Sequence, residues 1–174
     1  MPATATKTTE TAKLLKDWAV THRRALHRAP ELSLKEEGTS AYCQRVMREL
    51  GYTVKPSWGF GFTADLDVKG AKKRIALRAD MDALPIQELN KHDYCSRNAG
   101  VAHMCGHDTH MTIAMTTARL LAEKKAELPA SVRFLFQPSE ETPPGGAPGM
   151  ISMGCLEGVD EVYGLHNDPS LPVG

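Results

Sequence analysis

The stretch SVRFLFQ, residues 131–137, constrains the fold more than any other part of the chain. Its length and its β-branched and aromatic content mark a strand buried on both faces, the kind found in sheets that helices cover from either side. Helical patterns are present to do the covering. Residues 11–27 carry Leu14, Leu15, Trp18, Ala19, Ala25 and Leu26 at roughly helical spacing, and Pro30 ends the pattern. Residues 35–50 set Tyr42, Val46, Met47 and Leu50 on one side, with Gly51 placed as a C-terminal cap. A third helix, opened by residues 103–110, has an apolar stripe of Met111, Ala114, Met115, Ala118, Leu121 and Ala122. Further strands are expected over 61–68, 74–79 and 161–165, the first two joined through a Lys69-Gly70 turn as a hairpin, and a short helix over 150–156. Alternation of strands and helices makes the class α/β, and in such sheets ligands bind beyond the carboxyl ends of the strands. Asp80, Glu140, Glu141 and His166 each follow an expected strand end.

The chain has 174 residues, enough for one domain, with 41% hydrophobic and 24% charged residues, which fits a globular core. Its 21 Lys and Arg balance its 21 Asp and Glu, so the electrostatic footprint of nucleic-acid or anionic-membrane binding is missing. No apolar run approaches the ~20 residues of a membrane span. Cys43, Cys95, Cys105 and Cys155 are scattered without a Cys-x-x-Cys pair, which fits free thiols in the cytoplasm rather than a disulfide framework. The Thr-rich residues 1–10 read as a flexible arm.

Chemistry is densest in HMCGHDTH, residues 103–110, where a thiol, three imidazoles and a carboxylate crowd a loop-to-helix junction. Gly106 lets the backbone bend so that Cys105 and His107 can reach one divalent metal. A helix capped by Asp108 with merely polar histidines is the plain alternative, and Cys105 as a nucleophile a distant third. Glu140-Glu141 leaves a strand end with side chains expected to point in opposed directions, one toward metal and the other toward water. Asp80 and Asp82 flank Met81, able to bind metal, orient a ligand histidine or cap a turn. His22, Arg23, Arg24, His27 and Arg28 make the first helix basic and read mostly as a solvated face.

Taken together, HRRALHRAPELSLKEEGTS, RADMDALPIQE, GVAHMCGHDTHM, VRFLFQPSEE with a following GGA, and LEGVDEVYGLHNDPSLPVG resemble the N-terminal catalytic portion of an M20 metallopeptidase-like amidohydrolase. The branch is that of hippurate, N-acyl-amino-acid and auxin-conjugate hydrolases, and the likeness spans nearly everything after residue 10. It implies a three-layer sandwich with a mixed, mostly parallel central sheet, similar to the zinc-exopeptidase catalytic domain, over residues 11–174. It implies Cys105 as a ligand bridging two metals, His107 and His166 as ligands of one ion, Glu141 of the other, Glu140 as general base and Asp82 as an acid supporting the ligands. The ions are zinc or manganese, with cobalt or nickel as further choices; the family holds two and this chain is expected to hold one. The implied reaction is hydrolysis of an N-acyl amino acid, with two alternatives: carboxypeptidase action on short peptides, or a catalytically incomplete metal-binding fragment. Homo-oligomers are implied for the full-length proteins, whose lid and C-terminal catalytic part have no counterpart after His166.

Overall fold

The computed structural model describes Lys13 and residues 15–172. The expected arm over residues 1–10 lies outside the described residues. Helix α1 spans Lys16–Arg28 and α2 Glu37–Glu49; then come strands β1 (Thr53–Pro56), β2 (Phe62–Leu66) and β3 (Arg74–Asp80). Helix α3 (His107–Glu123) leads through a 3₁₀ turn into β4 (Ser131–Gln137), followed by α4 (Gly146–Ser152) and β5 (Glu161–Gly164). The five strands form one sheet in the order β1-β2-β4-β3-β5.

SVRFLFQ takes the central place. Val132, Phe134 and Phe136 of β4 pack against α1, α2 and α3 through Leu26, Val46, Met47, Met111 and Met115. Leu135 leaves the opposite face, with Ala76 of β3, to meet Met150 of α4 and Cys155. Three layers result, as expected for a strand apolar on both faces. Arg133, the one charge on β4, is matched by Asp65 of the neighbouring strand, Nε to Oδ1 at 2.7 Å and Nη2 to Oδ2 at 3.0 Å.

The expected hairpin between 61–68 and 74–79 does not form. β4 lies between the two strands, antiparallel to β2 and parallel to β3, with Ala64 and Leu77 both opposite Phe134. A hairpin would leave β4 at an edge; inserting it gives the most apolar strand hydrogen-bonded partners on both sides. β1 was not anticipated, because TVKP is short and half polar, and it sits on an edge where that composition is tolerated. The short helix after the Gly/Pro-rich loop begins four residues earlier than expected, at Gly146.

β3, β4 and β5 run parallel, so Asp80, Gln137 and Gly164 end on one edge of the sheet. The N-terminus of α3 meets them there.

Among the described residues β5 pairs with β3 alone, and it leaves Val162 at 50% and Tyr163 at 53% exposure, with Leu165 just beyond at 49%. A half-paired apolar edge is a template for association. Each 100 Å² covered there is worth ~2.5 kcal/mol. The chain is therefore expected to self-associate, with a melting temperature that rises with concentration, and Val162→Lys to reduce both effects. Light scattering showing a monomer at all concentrations would contradict this.

Candidate metal centre

Gly106 organises the centre. It adopts φ 93° immediately before α3, and a Cβ there would fall 2.2 Å from the Asn167 side-chain oxygen. Only glycine permits this turn and this approach together. Asn167 then donates its backbone N–H to His110 Nε2 at 3.1 Å, which settles the next residue back. His166 Nε2 lies 3.2 Å from Cys105 Sγ, and the ligand atoms of Cys105, His107 and His166 all lie within 4.8 Å of one another.

His107 is buried, and its Nδ1–H donates to the backbone oxygen of Asp82 at 2.8 Å. That bond turns the Nε2 lone pair inward, where it has no hydrogen-bond partner among the described residues. Around it stand Asp80 Oδ2 at 3.6 Å, Glu141 Oε1 at 3.6 Å and Glu140 Oε2 at 3.9 Å. Glu141 Oε1 is likewise buried and unpartnered. An imidazole lone pair, a thiol and several carboxylates meeting at one place are the donor set of a divalent cation. Burial, with the Glu141 carboxylate alongside, pushes the Cys105 thiol up to about 12, so its proton leaves readily only in exchange for positive charge.

Asp82 is the hub beneath these groups. Its Oδ1 accepts the Glu140 N–H and its Oδ2 the Glu141 N–H, each at 3.0 Å, and Oδ2 also accepts the Ser33 hydroxyl at 2.6 Å. Burial alone would raise its pKa, yet bonding to His107, Ser33 and the two peptide N–H groups holds the carboxyl far below the ordinary range. Asp80 is held charged by His110 Nδ1 at 2.7 Å and Arg78 Nη1 at 2.5 Å.

Glu140 and Glu141 do not diverge as the extended backbone predicted. Ser139 takes φ 50°, the chain bends, and both carboxylates return toward His107. Exposure separates them instead: the Glu140 side chain is 39% exposed and that of Glu141 23%. The bend is anchored by Glu36, fully buried, whose Oε1 accepts the Ser139 N–H at 2.7 Å while Oε2 has no partner among the described residues. Burial raises the Glu36 carboxyl above its ordinary 4.5. A group raised on folding adds stability that is complete below its unfolded value and is lost as pH rises through the folded one. Glu36→Gln keeps the acceptor and removes the charge, so melts should show the variant gaining on wild type as pH climbs from 4.5. A constant difference across that window would exclude the buried charge as the cause.

The structure thus brings Cys105, His107, Glu140, Glu141 and His166 around one point, with Asp82 behind them. Asp80 was expected to bind metal, orient a histidine or cap a turn, and His110 was only one of the crowded imidazoles of residues 103–110; neither was assigned a ligand role. Asp80 stands as close to His107 Nε2 as Glu141 does, whereas both ring nitrogens of His110 are occupied, by Asp80 and by the Asn167 N–H. The signal for Asp80 was its place at the end of an apolar strand. The basic face of α1 also differs from expectation: His27 is buried, and Arg23 Nε reaches Asp108 at 2.9 Å.

Residues 76–174 match the sequence profile of peptidase family M20/M25/M40. Thermostable carboxypeptidase 2 of Saccharolobus solfataricus is 41% identical over 165 residues, covering 93% of this chain and 42% of that protein. N-acetyl-L-cysteine deacetylase of Bacillus subtilis is 42% identical over 153 residues, covering 87% of this chain and 36% of that protein. Among solved structures, the Bacillus subtilis YXEP protein, a dinuclear metal-binding peptidase of family M20, superposes with a TM-score of 0.87 at 39% identity, over 92% of this chain and 45% of that one. The chain spans about two-fifths of the length of these relatives.

Proposed function

Because the chain belongs to peptidase family M20/M25/M40, we propose that residues 11–174 are the N-terminal portion of a catalytic domain that hydrolyses the amide bond of N-acyl amino acids. The observation that carries this reading is the convergence of Cys105, His107 and His166 within ligand distance of one another, next to the unpartnered lone pair of His107. Cys105, His107 and His166 would hold one divalent ion and Glu141 a second ion or its edge. A thiolate beside imidazoles favours zinc, with manganese as the next choice. Bound there, a divalent ion lowers the pKa of nearby water and polarises a carbonyl.

The side chains divide the remaining work. Glu140 stands at the mouth, more exposed than Glu141, and can take a proton from water and return it to the departing amine. Asp82 fixes the height of both glutamates through their peptide N–H groups. The Asp82 backbone oxygen fixes the tautomer of His107, and Gly106 with Asn167 sets the position of His166.

A deacetylase of an N-acetylated amino acid and a carboxypeptidase, the names carried by two relatives, both cut an amide whose nitrogen belongs to an amino acid. N-acetyl and N-benzoyl amino acids are therefore the substrates to try first, and short peptides second. The cysteines are free and Cys43 and Cys155 are buried, which suits the cytoplasm. The test is amino-acid release from N-acetyl amino acids by the chain and by a fusion supplying the remaining three-fifths of a relative, with and without chelator. Chelator-sensitive release by the fusion is expected; no release, or release indifferent to chelator, would overturn the reading.

A further inference from the structure

Beyond Asp108 from the centre just described, three ligand-bearing side chains meet that the proposed reaction does not use. His27 comes from the last turn of α1, Glu88 and His92 from the polar segment 87–100. His27 Nε2 is 3.2 Å from Glu88 Oε1, His92 Nε2 is 3.3 Å from the same oxygen, and the three atoms lie within 4.8 Å of one another. His27 is 4% and Glu88 7% exposed; the His92 side chain, at 30%, opens the cluster to solvent. Separations of this size are those of neighbouring ligands around an ion with bonds of ~2.0 to 2.2 Å.

The outer partners orient the ligand atoms. His27 Nδ1 lies 2.7 Å from Asp108 Oδ2, which Arg23 also holds, so the ring gives its Nδ1–H to a carboxylate and turns Nε2 toward Glu88. This is the arrangement that supports metal-ligating histidines. His92 is fixed by stacking on Tyr94, with ring centroids 3.7 Å apart, and by Cys95 Sγ at 3.3 Å from its Nδ1. Glu88 Oε2 is taken by the Ser96 N–H at 2.6 Å, which leaves Oε1 facing both imidazoles.

Hydrogen bonds alone explain this cluster poorly. Asn90 Nδ2 also reaches Glu88 Oε1, at 3.0 Å, so three nitrogens, those of His27, His92 and Asn90, crowd one oxygen that offers about two lone-pair positions. A cation between the three atoms removes the crowding, because each imidazole then presents a lone pair instead of a proton.

We propose that His27, Glu88 and His92 form a second divalent-cation site, separate from the Cys105 centre and suited to zinc, with water completing the coordination on the His92 side. Its occupancy would tie α1 to the 87–100 segment and, through Asp108, to the first turn of α3.

The test uses the 174-residue chain carrying Cys105→Ala and His166→Ala, which strips the first centre of two ligands. Equilibrium dialysis against buffered zinc should leave about one ion per chain, and zinc should raise its melting temperature. Adding His92→Ala should weaken that binding by at least ~10-fold and abolish the thermal shift; His92→Gln serves as a second variant should alanine loosen the loop. Cobalt in the double variant should give visible ligand-field bands without thiolate charge transfer, whereas wild type shows both. No ion in the double variant, binding unchanged by either His92 substitution, or a thiolate band arising from Cys95 would each overturn the proposal. Loss of zinc from the Cys105 centre alone would leave it standing, so the two sites are judged separately.

Discussion

Glu140→Gln is expected to lower N-acyl amino acid hydrolysis by about 10² to 10⁴-fold, the usual worth of a general base, while bound metal stays at the wild-type level. The fusion that supplies the rest of a relative is the protein to assay. Glutamine keeps the size of the side chain and the backbone N–H that Asp82 accepts, so the turn and the ligands behind it are undisturbed. What it loses is an oxygen able to carry a proton. Glu141→Gln should behave differently. Its Oε1 is buried without a hydrogen-bond partner beside His107 Nε2, and an amide there is a poorer donor to a cation, so metal content should fall along with rate. Metal analysis beside kinetics separates the two. Equal metal content and equal residual activity would show that these adjacent carboxylates share one role.

The neighbours could be told apart only in the structure, and the reason is local. An alternating backbone would have aimed them to opposite sides, but Ser139 bends the chain and Asp82 draws in both peptide N–H groups. What the sequence did make legible were features resting on short-range chemistry: the doubly apolar β4, the glycine between Cys105 and His107, and acids at the ends of apolar strands. Strand order was not legible. The Lys69-Gly70 turn favours a hairpin locally, and the burial of β4 between β2 and β3 outweighs it. Glu36 and His27 were passed over because each depends on a partner far along the chain: Ser139 and Asp108 respectively. A charged or polar residue reads as surface until the group that pairs with it in the interior is known.

Asp82→Asn is expected to weaken zinc binding at the Cys105 centre by about 10 to 100-fold, the usual cost of disturbing a group that orients ligands. No ligand atom is touched by this change. The carboxylate accepts the Glu140 and Glu141 N–H groups on separate oxygens; asparagine has one acceptor oxygen, and its NH₂ would confront the other N–H. One peptide donor is left unpaired at a cost of ~1 to 3 kcal/mol, and the chain escapes that cost by swinging one glutamate away from His107. Stability and metal affinity should therefore fall together, in urea melts and in competition against a chelator. Ser33→Ala is the control, because it removes a single donor from Oδ2 and leaves both peptide bonds in place; it should cost ~1 kcal/mol and leave zinc affinity near wild type. If Asp82→Asn holds zinc as tightly as wild type, or if Ser33→Ala weakens it equally, the two peptide N–H bonds are not what sets the glutamates. The His107 tautomer, fixed by the Asp82 backbone oxygen, survives both substitutions, so any loss measured comes from the carboxylate side of the residue alone.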